Sequence, residues 1–338
     1  MNIRKPRWDQ PCVPLDETLA PQALALWNRL AGGAEIPHKQ LDETAFASLF
    51  LTDAADVSRV AFAAVEEGRL IGFAAGNWKA GARIGYLTFV MVEPRSRRRG
   101  IGTALAGAVE AMLLDMAARA GTPLEFLDAR FLNPSALAWI VPGSDGHDHP
   151  NAPGVDMSGP GHLFMKNIGF RTIDTVNSYH RDLADFDYSP AIRDSLDRLE
   201  REGLRIVTYR SDYHTGLVDL IDDLNSEAWR DTLLSNAAQP GGGLPVLIVE
   251  DGTKVCGFAG PMDVQPSGRG YFNGIGIHSA YRSRGAGKAL FSALCMGLKE
   301  RGAVFMTLFT GETNPARNIY ESAGFRIVRS WACMRRTY

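Results

Sequence analysis

Apolar positions in this chain follow two spacings, and the same succession of spacings occurs twice. Leu19, Ala23, Leu26, Trp27 and Leu30 recur every three or four residues, which predicts a helix over 20–30. A second helix is expected over 41–51. The apolar run 60–65, the turn Glu66-Glu67-Gly68-Arg69 and the run 70–76 predict a hairpin. A strand over 84–92 follows, then a long helix from about 102 to 120, stopped by Gly121-Thr122-Pro123, and a strand over 124–129. Regular patterning resumes over 163–171, with a strand over 172–182 and a short helix over 192–202. The second half gives a strand over 204–209, a helix over 215–229 and a hairpin of 247–250 and 255–260. A strand over 270–277, a helix to about 301, a strand over 303–309, a short helix over 316–322 and a strand over 325–335 complete it.

The two series superimpose by subtraction. Gly72 and Gly257, Tyr86 and Tyr271, Arg97 and Arg282, and Gly100 and Gly285 are each separated by 185 positions. Gly169-Phe170 and Gly324-Phe325 are separated by 155, so the first half carries about 30 extra residues. They coincide with an irregular insertion at about 133–162, rich in Pro, Gly, Asp and His. Each half reads as an α/β unit with a mixed sheet. The expected layout is a first domain over 1–185, a linker over 186–203 and a second domain over 204–338.

Bulk properties narrow the function without naming it. The chain has 338 residues, 45% of them hydrophobic and 22% charged, which suits a two-domain globular protein. A formal net charge of -2 gives no overall pull towards nucleic acid or anionic membrane. Cys12, Cys256, Cys295 and Cys333 stand far apart with no metal-ligand spacing, and are expected as reduced thiols in a cytoplasmic protein. The basic start has no apolar run behind it, and no stretch approaches about 20 uninterrupted apolar residues. No membrane association is expected.

The duplicated chemistry lies in Arg97-Arg98-Arg99-Gly100-Ile101-Gly102 and Arg282-Ser283-Arg284-Gly285-Ala286-Gly287. Each follows a predicted strand and opens a predicted helix. Glycines allow a tight turn and close approach of a ligand, and the helix N-terminus presents free N–H groups. Arginines add forked donors for phosphate oxygens. Neither copy is a Walker loop or a dinucleotide fingerprint. The cluster over 95–99 lacks the interleaved aromatics of a nucleic-acid surface, and no nucleic-acid partner is expected.

These loops resemble the signature Arg/Gln-x-x-Gly-x-Gly/Ala of the GNAT N-acetyltransferase family. So does the segment from Asn314 through Tyr320 to Gly324-Phe325. The resemblance covers nearly the whole chain and is similar in layout to bacterial two-domain acetyltransferases such as mycothiol synthase. It implies two tandem acyl-CoA N-acyltransferase domains, each a mixed, largely antiparallel sheet flanked by helices. It also implies an internal pseudo-dimer, monomeric or homodimeric as a whole. The implied cofactor is acetyl-CoA, with a small-molecule amine as acceptor. Its contacts would be Val90, Val92, the six residues of the first loop and Thr103 in one half. In the other they would be Ile275, Gly276, Ile277, the second loop, Lys288 and Asn314.

By the same resemblance Tyr320 is the acid that protonates the leaving thiolate. The equivalent residue of the first half is Met165, which has no proton to donate. The second half is therefore expected to be catalytic. Where some relatives carry a glutamate base, this chain has Tyr86 and Tyr271, so Glu312 and His278 are the candidate bases, with a water chain as the alternative. No metal site is expected. His147 and His149 with Asp145 or Asp148 invite a zinc reading, but their spacing fits no closed site. The insertion, with Pro153-Gly154-Val155-Asp156 as its ordered part, is read as an acceptor loop or lid, or as a plug of the first cleft. Two other readings stay open: catalysis in the first half, and an acyl-CoA-binding sensor without turnover.

Overall fold

A computed structural model describes residues 7–33, 35–131 and 133–338; the basic start of the chain lies outside them. In the first half the strands are β1 (Val13–Pro14), β2 (Val57–Glu66), β3 (Arg69–Lys79), β4 (Ile84–Val92), β5 (Phe126–Ala129), β6 (Trp139–Ile140), β7 (Asp148–His149), β8 (Val155–Asp156) and β9 (Arg171–Asp182). The helices are α1 (Ala20–Leu30), α2 (Glu43–Phe50), α3 (Ile101–Arg119) and α4 (Pro160–Asn167). The second half comprises α5 (Pro190–Arg201), β10 (Leu204–Thr208), α6 (Leu217–Leu224), α7 (Glu227–Ala237), β11 (Leu247–Asp251), β12 (Lys254–Val264) and β13 (Arg269–Ile277). It ends with α8 (Ala286–Glu300), β14 (Phe305–Gly311), α9 (Arg317–Ser322) and β15 (Arg326–Thr337).

Two compact units result: Met1–Asn177 with Arg329–Tyr338, and Ser178–Val328. Their limits differ from the boundaries read off the sequence. The closing strand of each repeat is divided, so most of β15 belongs to the first unit and the end of β9 to the second. Strand periodicity tells which face is buried, not which neighbour a strand pairs with. The stretch read as a linker contains α5, whose Leu199 is buried in the core formed with α8. The expected helix over 215–229 is two helices: Asn225 turns left-handed at φ 51°, and Ser226 caps α7 by accepting from the Trp229 N–H at 3.4 Å.

In the first unit the sheet runs β1-β2-β3-β4-β5 and then the end of β15. Neighbours are antiparallel except β4 and β5. One face carries α3, whose Leu105, Val109 and Leu113 pack with Leu87, Ala332 and Met334. The other carries α1 and α2, around Trp27, Phe46, Phe50 and Phe73. By length and composition α3 is the one helix among the described residues able to cross a membrane; here it packs along β2, β3 and β4 as a core helix. The second unit repeats the plan as β10-β11-β12-β13-β14 and the end of β9, with α8 as its core helix.

Two features of β4 open the sheet at its centre. Its parallel pairing with β5 extends only from Ile84 opposite Phe126 to Tyr86 opposite Asp128. Beyond this the strands diverge. Against β3, Ala75 faces Phe89 and Gly76 faces Leu87, so Thr88 is the extra residue of a bulge. The bulge turns Leu87 to the α3 side and Phe89 to the α1–α2 side.

β15 is anchored where β4 and β5 part. The fully buried Asp128 accepts two hydrogen bonds from Arg335, at 2.7 and 2.8 Å, and Arg130 lies 2.7 Å away. Trp331 is 1% exposed and packs edge-on against Trp139. Trp331→Ala is therefore expected to destabilise the first unit by about 3–5 kcal/mol, read as a lowered denaturation midpoint. An unchanged midpoint would remove the last strand from the first unit's core.

Candidate active site

The two arginine-glycine loops have the same backbone form. After β4 a single 3-10 turn, Pro94–Ser96, leads to Arg98 at φ 65° and Gly100 at φ 93°. After β13 the matching residues are Ser283 at φ 66° and Gly285 at φ 82°. A non-glycine residue at positive φ is costly, and its recurrence at one loop position in both halves marks a retained conformation. Neither α3 nor α8 has a side-chain cap or an acidic residue in its first turn. Their first N–H groups are thus uncapped, which suits an anion such as a diphosphate.

The surroundings of the loops differ. A Cβ on Gly100 would meet nothing within 4 Å, whereas one on Gly285 would lie 2.7 Å from both Ser195 Oγ and Arg198 Nη2. Arg198 also donates to the Arg284 carbonyl at 3.1 Å. In the first loop the equivalent Arg99 carbonyl accepts from the Trp8 N–H at 2.8 Å. Most loop arginines are committed to protein groups. Arg97 donates to the Val92 carbonyl (3.1 Å) and to Glu35 (2.6 Å), and Arg99 holds Glu66 through both nitrogens. Arg282 repeats the brace on the Ile277 carbonyl at 3.0 Å. Arg98 is exposed beside the α3 N-terminus.

A cavity of about 1050 Å³ opens where β4 and β5 diverge in the first unit. Its walls include Arg97, Arg98, Gly100, Ile101, Gly102 and Thr103 from the loop, Val90 and Val92 from β4, and Phe164 and Met165 from α4. The insertion supplies another wall. Its β6 and β7 pair, and β8 pairs with Trp331 and Ala332. Gly154 lies so close to that strand that a Cβ would fall 2.5 Å from the Ala332 carbonyl oxygen. In the insertion His149 Nδ1 meets Asn151 O at 2.9 Å, and Asp148 pairs with Lys39 at 2.7 Å.

Polar groups gather at the bulge. The buried Asn77 donates through Nδ2 to Thr88 Oγ1 at 2.9 Å and to Asn133 Oδ1 at 2.5 Å, and Asn133 donates to Thr88 Oγ1 at 3.1 Å. His38 also lines the cavity, stacked on Trp27 and edge-on to Phe89. Burial pushes its pKa down to about 4, against the raising effects of the Asp156 charge and the Ala138 backbone; Arg329 adds to the lowering. Asp156 is itself paired with Arg329.

The second unit places its candidates differently from one another. Tyr320 is 8% exposed, between Phe291 and Tyr179, and burial raises its pKa to about 12. His278 accepts from the Ala280 N–H through Nδ1 at 3.1 Å, and its Nε2 lies 3.9 Å from Asp223. Its Nδ1 thus caps the turn that follows β13. Glu312 and Lys288 are exposed, and Asn314 accepts from the Ala316 N–H at 3.0 Å. Ile275 and Ile277 pack against the α8 core. Sequence reasoning missed His38, Thr88 and Trp331 as cavity residues. Asn133 carried a signal, since it stands before a proline just as Asn314 does. His38 carried none.

Comparisons with known proteins bear on the family and the fold. The family model described as acetyltransferase (GNAT) family matches residues 23–139 and 206–325. A search of curated proteins returned no match. Among solved structures, a glucosamine N-acetyltransferase region of a fungal multi-domain β-N-acetylglucosaminidase aligns at 15% identity and TM-score 0.63, covering 96% of this chain and 37% of that one. The chain thus spans little more than a third of that protein. A tandem GNAT protein from the clavulanic acid biosynthesis pathway aligns at 16% identity and TM-score 0.53, over 96% of this chain and 98% of its own. A GNAT protein from Sphaerobacter thermophilus gives 16% identity and TM-score 0.61 over 96% and 95%. At these identities the likeness shows the fold.

The His38 environment gives a pH signature. Its folded-state pKa lies below the roughly 6.5 of an unfolded histidine, so between about 6.5 and 4 the unfolded chain binds the extra proton. Stability therefore falls as pH drops through that window, by up to about 3 kcal/mol from this group. Denaturant midpoints measured from pH 7 to pH 4 should fall less steeply in His38→Gln. Parallel curves would refute the assignment.

Proposed function

The chain belongs to the acetyltransferase (GNAT) family, and from that premise we propose that it is an acetyl-CoA-dependent N-acetyltransferase for a primary amine of a small molecule, with transfer in the cavity of the first unit. The cavity carries this reading, because it joins the uncapped N-terminus of α3 to the bulged, unpaired stretch of β4. The residues present fit acetyl-CoA: αL turns at Arg98 and Gly100, an open approach above Gly100, and an exposed Arg98. When bound, acetyl-CoA supplies an acetyl group activated as a thioester.

Each part of the site has a defined contribution. The loop N–H groups and Arg98 hold the diphosphate. Past Tyr86 no residue of β4 pairs with β5, so main-chain donors on that edge are available to a carbonyl oxygen that gains charge during attack. Phe164, Val90 and Val92 give the pantetheine arm an apolar channel. Met165 has no proton to give, so the first unit relies on water or on the Thr88–Asn133 cluster for proton exchange.

One observation favours a second reading, transfer in the second unit. Tyr320 occupies the acid's position and keeps its proton until about pH 12, so the acid form is present at neutral pH. Single variants of the full chain, assayed for amine-dependent release of CoA thiol, separate the two. Gly100→Val forces a β-branched residue to φ 93° and should lower turnover at least tenfold, with little change for Tyr320→Phe. The reverse pattern, loss with Gly285→Val and Tyr320→Phe but not with Gly100→Val, would move catalysis to the second unit. Acetyl-CoA binding with no thiol release above background from any amine would identify a sensor.

A further inference from the structure

Resting on transfer in the first unit, we propose that Arg130 and Thr88 form a carboxylate seat in the cavity, and that the acceptor is an amine carrying a carboxylate, as an amino acid does. Position comes first. Tyr86 on β4 and Asp128 on β5 are the last paired residues before the strands part. Two positions further along the chain from each stand Thr88 and Arg130, and both line the cavity. Leu127 and Ala129 pack into the α3 core, so alternation turns Asp128 and Arg130 to the other face.

Charge is the second argument. Three carboxylates line the cavity, Glu35, Glu110 and Asp156. Each is matched by one arginine: Arg97 at 2.6 Å, Arg336 at 2.9 Å and Arg329 in close contact. Asp128 is different. It is fully buried between two arginines, Arg335 through two hydrogen bonds and Arg130 with Nε 2.7 Å away. One carboxylate between two guanidinium groups leaves a positive charge over, and Arg130 is the member of the pair on the cavity wall. Such a charge favours an anionic group on the acceptor. It also disfavours the ammonium form of the amine, which must lose a proton before it attacks.

Hydrogen bonding is the third argument. The Arg130 side chain is 21% exposed. Its Nε is enclosed beside Asp128, but its two terminal nitrogens are neither enclosed nor hydrogen-bonded among the described residues. Their N–H groups are available to a ligand. Thr88 is the complementary donor. The Ser135 N–H donates to Asn133 Oδ1 at 2.9 Å, which fixes the Asn133 amide, so the Asn77 atom 2.5 Å from that oxygen is Nδ2. Thr88 Oγ1 therefore faces two amide nitrogens, at 2.9 and 3.1 Å, and accepts from both. With its lone pairs so occupied, the half-buried hydroxyl has its own O–H left to give. An arginine fork and a hydroxyl donor suit a carboxylate, and neither ties up the lone pair of the neighbouring amine.

The test titrates the full chain, saturated with CoA, with matched pairs in a calorimeter: alanine and ethylamine, leucine and isopentylamine, phenylalanine and phenethylamine. Members of a pair differ only in the carboxylate. In one pair or more the amino acid should bind about tenfold more tightly or better. Arg130→Met should remove that preference, Arg130→Lys should keep part of it, and Thr88→Val should reduce it about fivefold. Matching thermal midpoints exclude a folding defect as the cause. Where Arg130→Met does not fold, the paired affinities of the native chain and of Arg130→Lys carry the test. No preference for the amino acid in any pair, or a preference left unchanged by Arg130→Met, would overturn the proposal. Thiol release from acetyl-CoA, measured alongside, keeps the two readings apart. Carboxylate-dependent binding through Arg130 without thiol release would uphold the seat and remove the transferase reading. Thiol release with no carboxylate preference would keep the transferase and remove the seat.

Discussion

The parting of two parallel strands governs the first unit. β4 and β5 share three residue pairs and then separate at Tyr86 and Asp128. A buried backbone edge without partners is unfavourable unless something supplies hydrogen bonds. The fold meets this constraint in three ways. The bulge at Thr88 brings a buried amide and hydroxyl cluster to the gap. The insertion walls one side through β8. Asp128, at the last paired position, is clasped by Arg335 and Arg130, which fastens the chain's final strand beside β5. The cavity is the space left open, with the uncapped end of α3 at its rim.

Duplication preserved some features of this arrangement and exchanged others. The φ pattern of the loops was kept, down to the strained non-glycine residue before each turn glycine. The packing volumes were redistributed. Phe89 fills the α1–α2 core from β4, while the matching position in β13 is Gly274, where a Cβ would fall 2.3 Å from Trp229 Nε1. A large residue on the strand in one half is thus replaced by a large residue on the helix in the other. The loops diverged in the same manner: Trp8 braces the first through its backbone, and Arg198 lies over the second.

The candidate site was legible in the sequence where a residue type is tied to a backbone conformation or a repeated position. The loop glycines Gly100 and Gly102, which line the cavity, are of this kind. His278 and Glu312 were chosen for titratability and nearness in sequence, and the structure gives His278 a capping bond and leaves Glu312 exposed. His38 was invisible because it stands in an irregular segment after α1, and its chemistry comes from residues about a hundred or more positions away, among them Asp156, Arg329 and Ala138.

By itself the sequence determined the two α/β repeats, their offset, most of the longer helices and strands, and the paired loops with their glycine turns. These depend on short-range periodicity and on glycine's access to positive φ, both written into local stretches of chain. Tertiary structure alone decided that the last ten residues complete the first unit, that β9 is divided, and that the insertion walls a cavity instead of projecting from it. Strand partners and cavity walls are set by long-range packing and buried ion pairs, such as Arg335 with Asp128. No local pattern of hydrophobic and polar residues encodes these.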